Sequence, residues 1–549
     1  MESKSVSKAR RIFVLLIVLL SIGFSPGAIA IDQEFYKGWN MSSHDPRRTG
    51  RAVVNGARKG NKVWEHVAND GHAINMEPTV TKSGVFFGSW GVVRGFGKRK
   101  RNWDKFDGKI HGLDRLTGRS LWSPVKLDET KFAYRYKGRP TTEKDSPAGV
   151  GYHLNGYNGT VEGSAAVDPL NGILYFGRGD GKLYAVDPKK GAVIWKFKSH
   201  DPVRPDDPEG GGEIVGGPLV TEDGLIIFGT SAGPPNKHRA PTTVRSETNA
   251  LYAVNREGKL VWRYPATGSL GNPITAPPAL SPDGTRVYAA TALIDEREGG
   301  ELIAVERATG KLIWRIHNRK FGAHDIAVGS EGTIYVAGMA LRGMLAASFL
   351  PVAFAVQDQG ETGKLLWGPV LVDGERPRSH FAGGIALYES EGKVKDVYVS
   401  TTILRYSNSP GGSLHRINPA NGSISRTWHP TEASPSCIGG LTDISLDKEG
   451  IIYVGVRGQK KGFTAPETAG RIYALRPLDE RFEVLWSISV EGNLDRASPA
   501  IGPEGGIYFG STSRYTPGHV FSTYINATPQ DEDIPDADPI FYGVMDSAN

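Results

Sequence analysis

Cysteine is almost absent from this chain: Cys437 is the only one in 549 residues. No internal disulfide can form, so the fold must rest on its apolar core. A surplus of charge of either sign is missing too. Lys and Arg total 65 against 59 Asp and Glu, a net of +6, which offers little attraction to a polyanion and gives no support to a nucleic-acid partner. Long apolar runs are confined to the start. Residues 12–24, "IFVLLIVLLSIGF", follow Lys4, Lys8, Arg10 and Arg11 and precede "SPGAIA". That order is expected of a secretory signal peptide over 1–30, cleaved after Ala30, leaving no transmembrane segment. Position 31 is Ile rather than Cys, so no lipid anchor is indicated. Four of the basic residues and Glu2 leave with the signal, so the remaining chain carries a net charge of +3.

Glycine and tryptophan are what the sequence has in excess. The 70 glycines are about 13% of the chain, against roughly 7% in average proteins, and without collagen periodicity they imply many tight turns. Eight of the 11 tryptophans close a similar phrase. The clearest copies are "GLDRLTGRSLW" to Trp122, "YAVDPKKGAVIW" to Trp195, "YAVNREGKLVW" to Trp262 and "IAVERATGKLIW" to Trp314. Looser copies end at Trp367, Trp428 and Trp486, and "NKVWEHV" around Trp64 precedes any complete repeat.

Each phrase reads as a strand, an Asp/Asn–Gly turn and a second strand, and each follows another hairpin of the type "SPAIGPEGGIYFGS". One period is therefore four strands. Four-stranded units around an axis make a β-propeller, which leaves only short sheet edges. The predicted fold is all-β, with eight four-stranded blades. The last repeat, from Ser498 to about Ala527, supplies three strands, and the N-terminal strand around Trp64 closes the ring. The expected organisation is a signal peptide (1–30), an extension (31–60), the propeller (61–527) and an acidic disordered tail (528–549).

In such a ring the first strand of each blade lies nearest the axis, and the loop leading into it lines one mouth of the channel. Counting back from the turn glycine gives one equivalent position per blade: Glu77, Ser164, Gly217, Pro277, Asp325, Gly384, Asp443 and Ser498. Three are acidic where small residues otherwise prevail. Glu77, Asp325 and Asp443 are the candidate site residues, with His324 as a titrating partner beside Asp325. His380, Cys437 and Arg496 are further candidates at the mouth, as are Glu162, Glu213 and Asp495. Opposed carboxylates there could bind a cation, or raise one another's pKa and create a general acid or base. They could equally accept hydrogen bonds from neighbouring backbone amides.

The phrase "A-V-D-x-x-T-G-K-x-x-W" resembles the repeat of the pyrroloquinoline-quinone-like (PQQ-like) propellers, in which the Trp docks between blades. "WNMSSHDPRRTGRA" (39–52) resembles the segment that often precedes such a ring. The resemblance implies one of three activities: dehydrogenase, assembly scaffold or polythionate hydrolase. The quinone-bound dehydrogenases carry a disulfide of adjacent cysteines and a calcium held by Glu, Asn and Asp. One cysteine cannot supply that pair, so PQQ is not supported as a cofactor, and haem c is excluded because no C-x-x-C-H occurs. No metal is assigned, and the cofactor is left open. The reading is an exported scaffold that takes a small anionic ligand or a protein partner through its mouth loops. The alternative is a tetrathionate-hydrolase-like enzyme built on Asp325, His324, Glu77 and Asp443.

Two insertions stand outside the repeat. "VVRGFGKRKRNWDKF" in the first blade interleaves basic and aromatic residues and could dock an acidic partner. "GMALRGMLAASFLPVAFAV" (338–356) exceeds what a hairpin needs, and its 340–350 part is a candidate homo-oligomer contact or a lid.

Overall fold

The computed structural model describes residues 34–68, 74, 76–89, 108–128, 135–136, 139–140, 161, 163–199, 212–231, 249–292, 299–318, 321–341, 349–372, 380–403, 412–430, 440–457, 470–490, 494, 498–511 and 540–545. Among them, eight four-stranded antiparallel sheets form the ring of a β-propeller. Blades 1 to 7 span 79–126, 166–198, 219–264, 279–318, 321–371, 380–428 and 441–490, and each is a simple meander. Blade 8 joins the chain ends: Ala500–Ile501, Ile507–Gly510 and Ile540–Val544 are completed by Lys62–Val67.

The Trp–Gly phrase encodes both halves of the contact between blades. The Trp262 indole of blade 3 donates to the Arg307 carbonyl of blade 4 at 2.8 Å, and its ring lies over Gly310. A Cβ on Gly310 would sit 2.5 Å from that ring, and its φ of +70° is one that L side chains rarely adopt. The same bond runs from Trp64 to Arg115, Trp122 to Pro188, Trp195 to Arg256 and Trp367 to Pro419. In blade 4, Trp314 donates to the Asp358 carboxylate instead. Leu414 faces Trp428 in blade 6, whereas in blades 2, 3, 4, 5 and 7 a small residue faces the Trp: Ala185, Ala253, Ala304, Ala355 and Ala474 pair with Trp195, Trp262, Trp314, Trp367 and Trp486. A larger side chain there would displace the ring.

The C-terminus corrects the expected organisation. The third strand of blade 8 is Ile540–Val544, which pairs with both Ile507–Gly510 and Lys62–Val67. It lies inside the stretch expected to be a disordered tail, and the ring does not end near residue 527. The acids between 531 and 538 hid a good strand. "IFYGVMD" is a diverged "LYAVD", and its Gly543 faces Trp64 as the alanines face their tryptophans. The eighth phrase is thus split between the two ends of the chain. Its turn half is "RKGNKVW", where Gly60 lies under Trp486 of blade 7 and Ala57 accepts that indole's hydrogen bond at 3.0 Å.

In blade 5 the strands Thr333–Leu341 and Phe349–Asp358 pair as far as Leu341 with Phe349. Both ends of the 340–350 insertion therefore extend the hairpin, and 342–348 lie outside the described residues. The basic insertion of blade 1, 92–106, lies outside them as well.

Candidate functional site

The inner strand of each blade has one edge with no neighbouring strand, and its N–H groups need acceptors. Residues 39–57 supply them. Trp39 pairs with Val80 of blade 1 in both directions, and the Asn40 carbonyl accepts from Val167 of blade 2. Pro46, Arg47, Thr49 and Gly50 then accept from Leu280, Val328, Leu387 and Leu446, one in each of blades 4 to 7. Ala52 and Val54 complete the pairing with blade 7, and Gly56 donates to Asp447. This strap follows the inner edges around the axis before the chain enters blade 8. Its turns need unusual backbone. Ser43, His44 and Arg48 have φ of +53°, +75° and +61°, and Gly50 has +63°. Only one other described non-glycine residue, Glu391, has positive φ. Such conformations persist where the surroundings over-determine them.

The strap carries Arg48, which is fully buried. Its guanidinium donates to the carbonyls of Pro278 (2.9 Å), Pro218 (3.2 Å) and Ser42. A buried cation also needs an opposite charge, and the sequence-derived carboxylates supply it. Glu77 is 8% exposed and Asp325 7%; Arg48 acts electrostatically on both. Glu77 accepts from the Ser43 amide at 2.8 Å and from the Ser164 hydroxyl at 3.4 Å. Asp325 accepts from its neighbour Ile326 at 2.9 Å and from Ile385 of blade 6 at 3.1 Å. The structure therefore brings Glu77, Asp325 and Asp443 into one electrostatic group, with Asp443 raising both of the others.

Burial and like charge decide how this group titrates. Burial pushes Glu77 up to about 7, helped by Asp443 and opposed by the Ser43 amide, Trp39 and Arg48. Burial and then Asp443 push Asp325 well above the ordinary carboxylate range, against its two amide bonds and Arg48. Burial lowers Arg48 to about 10, opposed by Asp325, Glu77 and Asp45, so it stays charged at neutral pH. On the strap itself, burial pushes Asp45 up, but His44, Arg47 and Thr49 bring it down to about 2.

Local register explains the positions. Inner strands Phe321–Val328, His380–Ser390 and Leu441–Leu446 of blades 5 to 7 run longer than the others, and each has a register shift near its start, at 324, 383–384 and 442–443. Such irregularities re-aim side chains. His324 and Asp443 fall at two of the shifts, and both are part-buried. Gly384 occupies the third because Asp443 crowds it: a Cβ there would lie 2.5 Å from the Asp443 Cβ. The backbone of His380 begins the inner strand of blade 6. Cys437 and Arg496 lie outside the described residues, as do Glu162 and Asp495. Glu213 is buried in blade 3's approach, where its backbone bridges to Ser231.

Two residues that matter here were not singled out in the sequence. Arg48 and Ser43 lie in the segment noted only as preceding the ring. The usable signal was a pair of arginines, Arg47 and Arg48, between turn-forming residues just before the first repeat. Among the described residues no three His, Cys, Asp or Glu are grouped to hold a metal. Arg48 already places a positive charge on these carboxylates, so they do not suit a calcium ion. The single cysteine likewise does not suit the quinone of the dehydrogenases.

With this geometry in view, residues 46–233 and 106–428 match the family described as outer membrane protein assembly factor BamB. The chain belongs to this family of PQQ-like propellers. Over 159 residues it is 28% identical to the outer membrane protein assembly factor BamB of Nitrosomonas eutropha, covering 26% of this chain and 36% of that protein. Over 171 residues it is 27% identical to a tetrathionate hydrolase of Acidithiobacillus ferrooxidans, covering 29% of each. The matches thus span about a third of each relative's length. The solved quinohemoprotein alcohol dehydrogenase of Pseudomonas putida HK5 superposes with a TM-score of 0.51 at 13% identity, over 87% of this chain and 76% of that one. That likeness is one of fold. No helix among the described residues is long and apolar enough to cross a membrane.

Proposed function

We propose that this chain is an exported, non-catalytic scaffold that binds a protein partner through its blade loops and supports outer-membrane protein assembly. One observation carries the reading. The carboxylates that would form a reaction centre are more than nine-tenths buried at Glu77 and Asp325 and are engaged by backbone amides and Arg48. A substrate has no free carboxylate to meet at either residue. The family match and the similarity to an assembly factor agree with this role. Export rests on the signal-like residues 1–30.

A hydrolytic reading draws on the tetrathionate hydrolase similarity and on the partial exposure of Asp443 and His324. A paired experiment separates the two. Deletion of the gene in the native host is expected to lower the level of folded outer-membrane β-barrel proteins. The Asp443→Asn variant is expected to restore them as fully as the wild type, and purified protein is expected to leave tetrathionate intact. Thiosulfate release that disappears in Asp443→Asn would overturn the scaffold reading.

A further inference from the structure

We propose that blades 1 and 2 form a membrane-facing sector of the propeller, which seats on an anionic lipid surface through the turns at its strap end. The argument starts from the meander. In blades 1 to 7 the turn between the first two strands and the turn between the last two lie at one end. The strap crosses that same end, because it accepts from Val167, Leu280, Val328 and Leu446, each the last residue of an inner strand. The small net charge of the chain conceals a segregation there.

In a ring of eight, blades 1 and 5 lie across the axis from each other, as do blades 2 and 6. The strap-end turns of blades 5 and 6, at 329–332, 359–362, 391–392 and 418–423, hold the exposed acids Glu331, Glu361 and Glu391 and no base. Those of blades 1 and 2 hold Lys82, Arg115, Arg119, Lys189 and Lys190, and all but Arg115 are exposed. Their acids are occupied: Asp114 accepts from its own turn amides, and Asp168 is buried against Arg256. Arg115 is bound to Glu504 of blade 8. Exposed charges more than about 8 Å apart are largely screened at physiological salt. The acids across the ring therefore do not cancel this basic sector.

Exposed aliphatic side chains interleave with these bases. Val63, Leu116, Leu121, Leu170, Val193 and Ile194 are 39–51% exposed. The indole bonds of the rim bring them together. Trp64 donates to the Arg115 carbonyl at 3.0 Å, which sets Val63 beside the turn of Leu116. Trp122 donates to the Pro188 carbonyl at 2.9 Å, which sets Leu121 beside Lys189 and Lys190. Single exposed aliphatics need no partner. Aliphatics interleaved with lysine and arginine suit an interfacial surface, where apolar burial and attraction to anionic headgroups add. Turns at one end of a ring present a level edge, which fits a bilayer better than an extended peptide. The start of the chain points the same way. Glu34, the first described residue, pairs with Lys82 of blade 1 at 3.3 Å. The described chain thus begins in this sector, directly after the signal-like residues 1–30 with their apolar run. On the export reading, this sector follows that run to the bilayer ahead of the rest of the ring.

Co-flotation of the whole mature chain with lipid vesicles tests this, each variant being checked for an unchanged unfolding midpoint. The wild type is expected to float at low salt with phosphatidylcholine vesicles that contain phosphatidylglycerol, and to be released by high salt. It is expected to stay behind with phosphatidylcholine alone. Lys189→Glu combined with Lys190→Glu is expected to lower partitioning at least about tenfold. Leu116→Ser combined with Ile194→Ser is expected to lower it at every salt concentration. Lys393→Glu combined with Lys395→Glu makes the same charge change on blade 6 and is expected to bind as the wild type does. Absence of flotation, or equal flotation with phosphatidylcholine alone, would overturn the proposal. An equal loss in the two charge variants would do the same. Binding to soluble polyglutamate but not to vesicles would replace the lipid by an acidic protein partner.

Discussion

The rim and the axis of this propeller are built by opposite methods. At the rim one contact is repeated: an indole from one blade lies on the turn glycine of the next and donates to a carbonyl there. Each copy is local, and all but the Trp314–Asp358 contact of blade 4 use an uncharged acceptor where the bond is described. At the axis nothing is repeated. One strap threads past the blades once, and a single buried arginine on it answers Glu77 of blade 1 and Asp325 of blade 5, on which Asp443 of blade 7 also acts. The rim resists by redundancy. The axis depends on one charge balance, so it alone should respond to pH.

Breaking a rim contact tests the first half of this comparison. Trp262→Ala removes a 6% exposed indole and its bond to Arg307. Large aromatic truncations in cores cost about 3–5 kcal/mol, and that loss of unfolding free energy is expected in denaturant at both pH 5.5 and pH 8. A cost that changes markedly with pH would mean that the rim is coupled to the axial charges.

Breaking the axis should look different. Arg48→Met keeps the apolar stem of the side chain but removes the guanidinium, with its charge and its bonds to carbonyls. Removing one partner of a buried charged group costs about 3–5 kcal/mol when the other side stays charged. Here the carboxylates can take up protons instead. Glu77, raised to about 7, is expected to be neutral in mild acid and ionised above neutrality, and Asp325 is raised as well. The variant is therefore expected to lose most at pH 8 and clearly less at pH 5.5, read from the same denaturation curves. An equal loss at both values would show that Arg48 serves only through its bonds to carbonyls.

The same contrast governs what was legible. Blade number, strand order and the fastening of the ring by the strand at Trp64 follow from phrases that recur. Repetition lets weak copies be read against strong ones. The third strand of blade 8 was missed because its half-phrase, "IFYGVMD", stands apart from its partner at the opposite end of the chain, behind a run of acids. The axial carboxylates were singled out as equivalent positions in a register, one each in blades 1, 5 and 7. Their state was not readable, because it depends on Arg48, about 30 residues before Glu77 and outside the repeat. A position within a repeat can be aligned. A neighbour contributed from outside it cannot.

The smallest expected effect sharpens the rim argument most, because two glycines share a backbone but not a neighbour. Gly172 and Gly191 both lie in blade 2 turns, with φ of +74° and +62°. A Cβ at Gly172 meets nothing within 4 Å, whereas one at Gly191 would lie 2.3 Å from the Trp122 ring. Alanine at either site bears the left-handed penalty of roughly 1–2 kcal/mol. Only Gly191→Ala must also move the indole, adding about 1–3 kcal/mol of overpacking. Denaturation of the two variants isolates the stacking requirement from the turn requirement. If both lose the same free energy, the glycine of the phrase is there for its φ alone, and the indole lies over it without demanding the space.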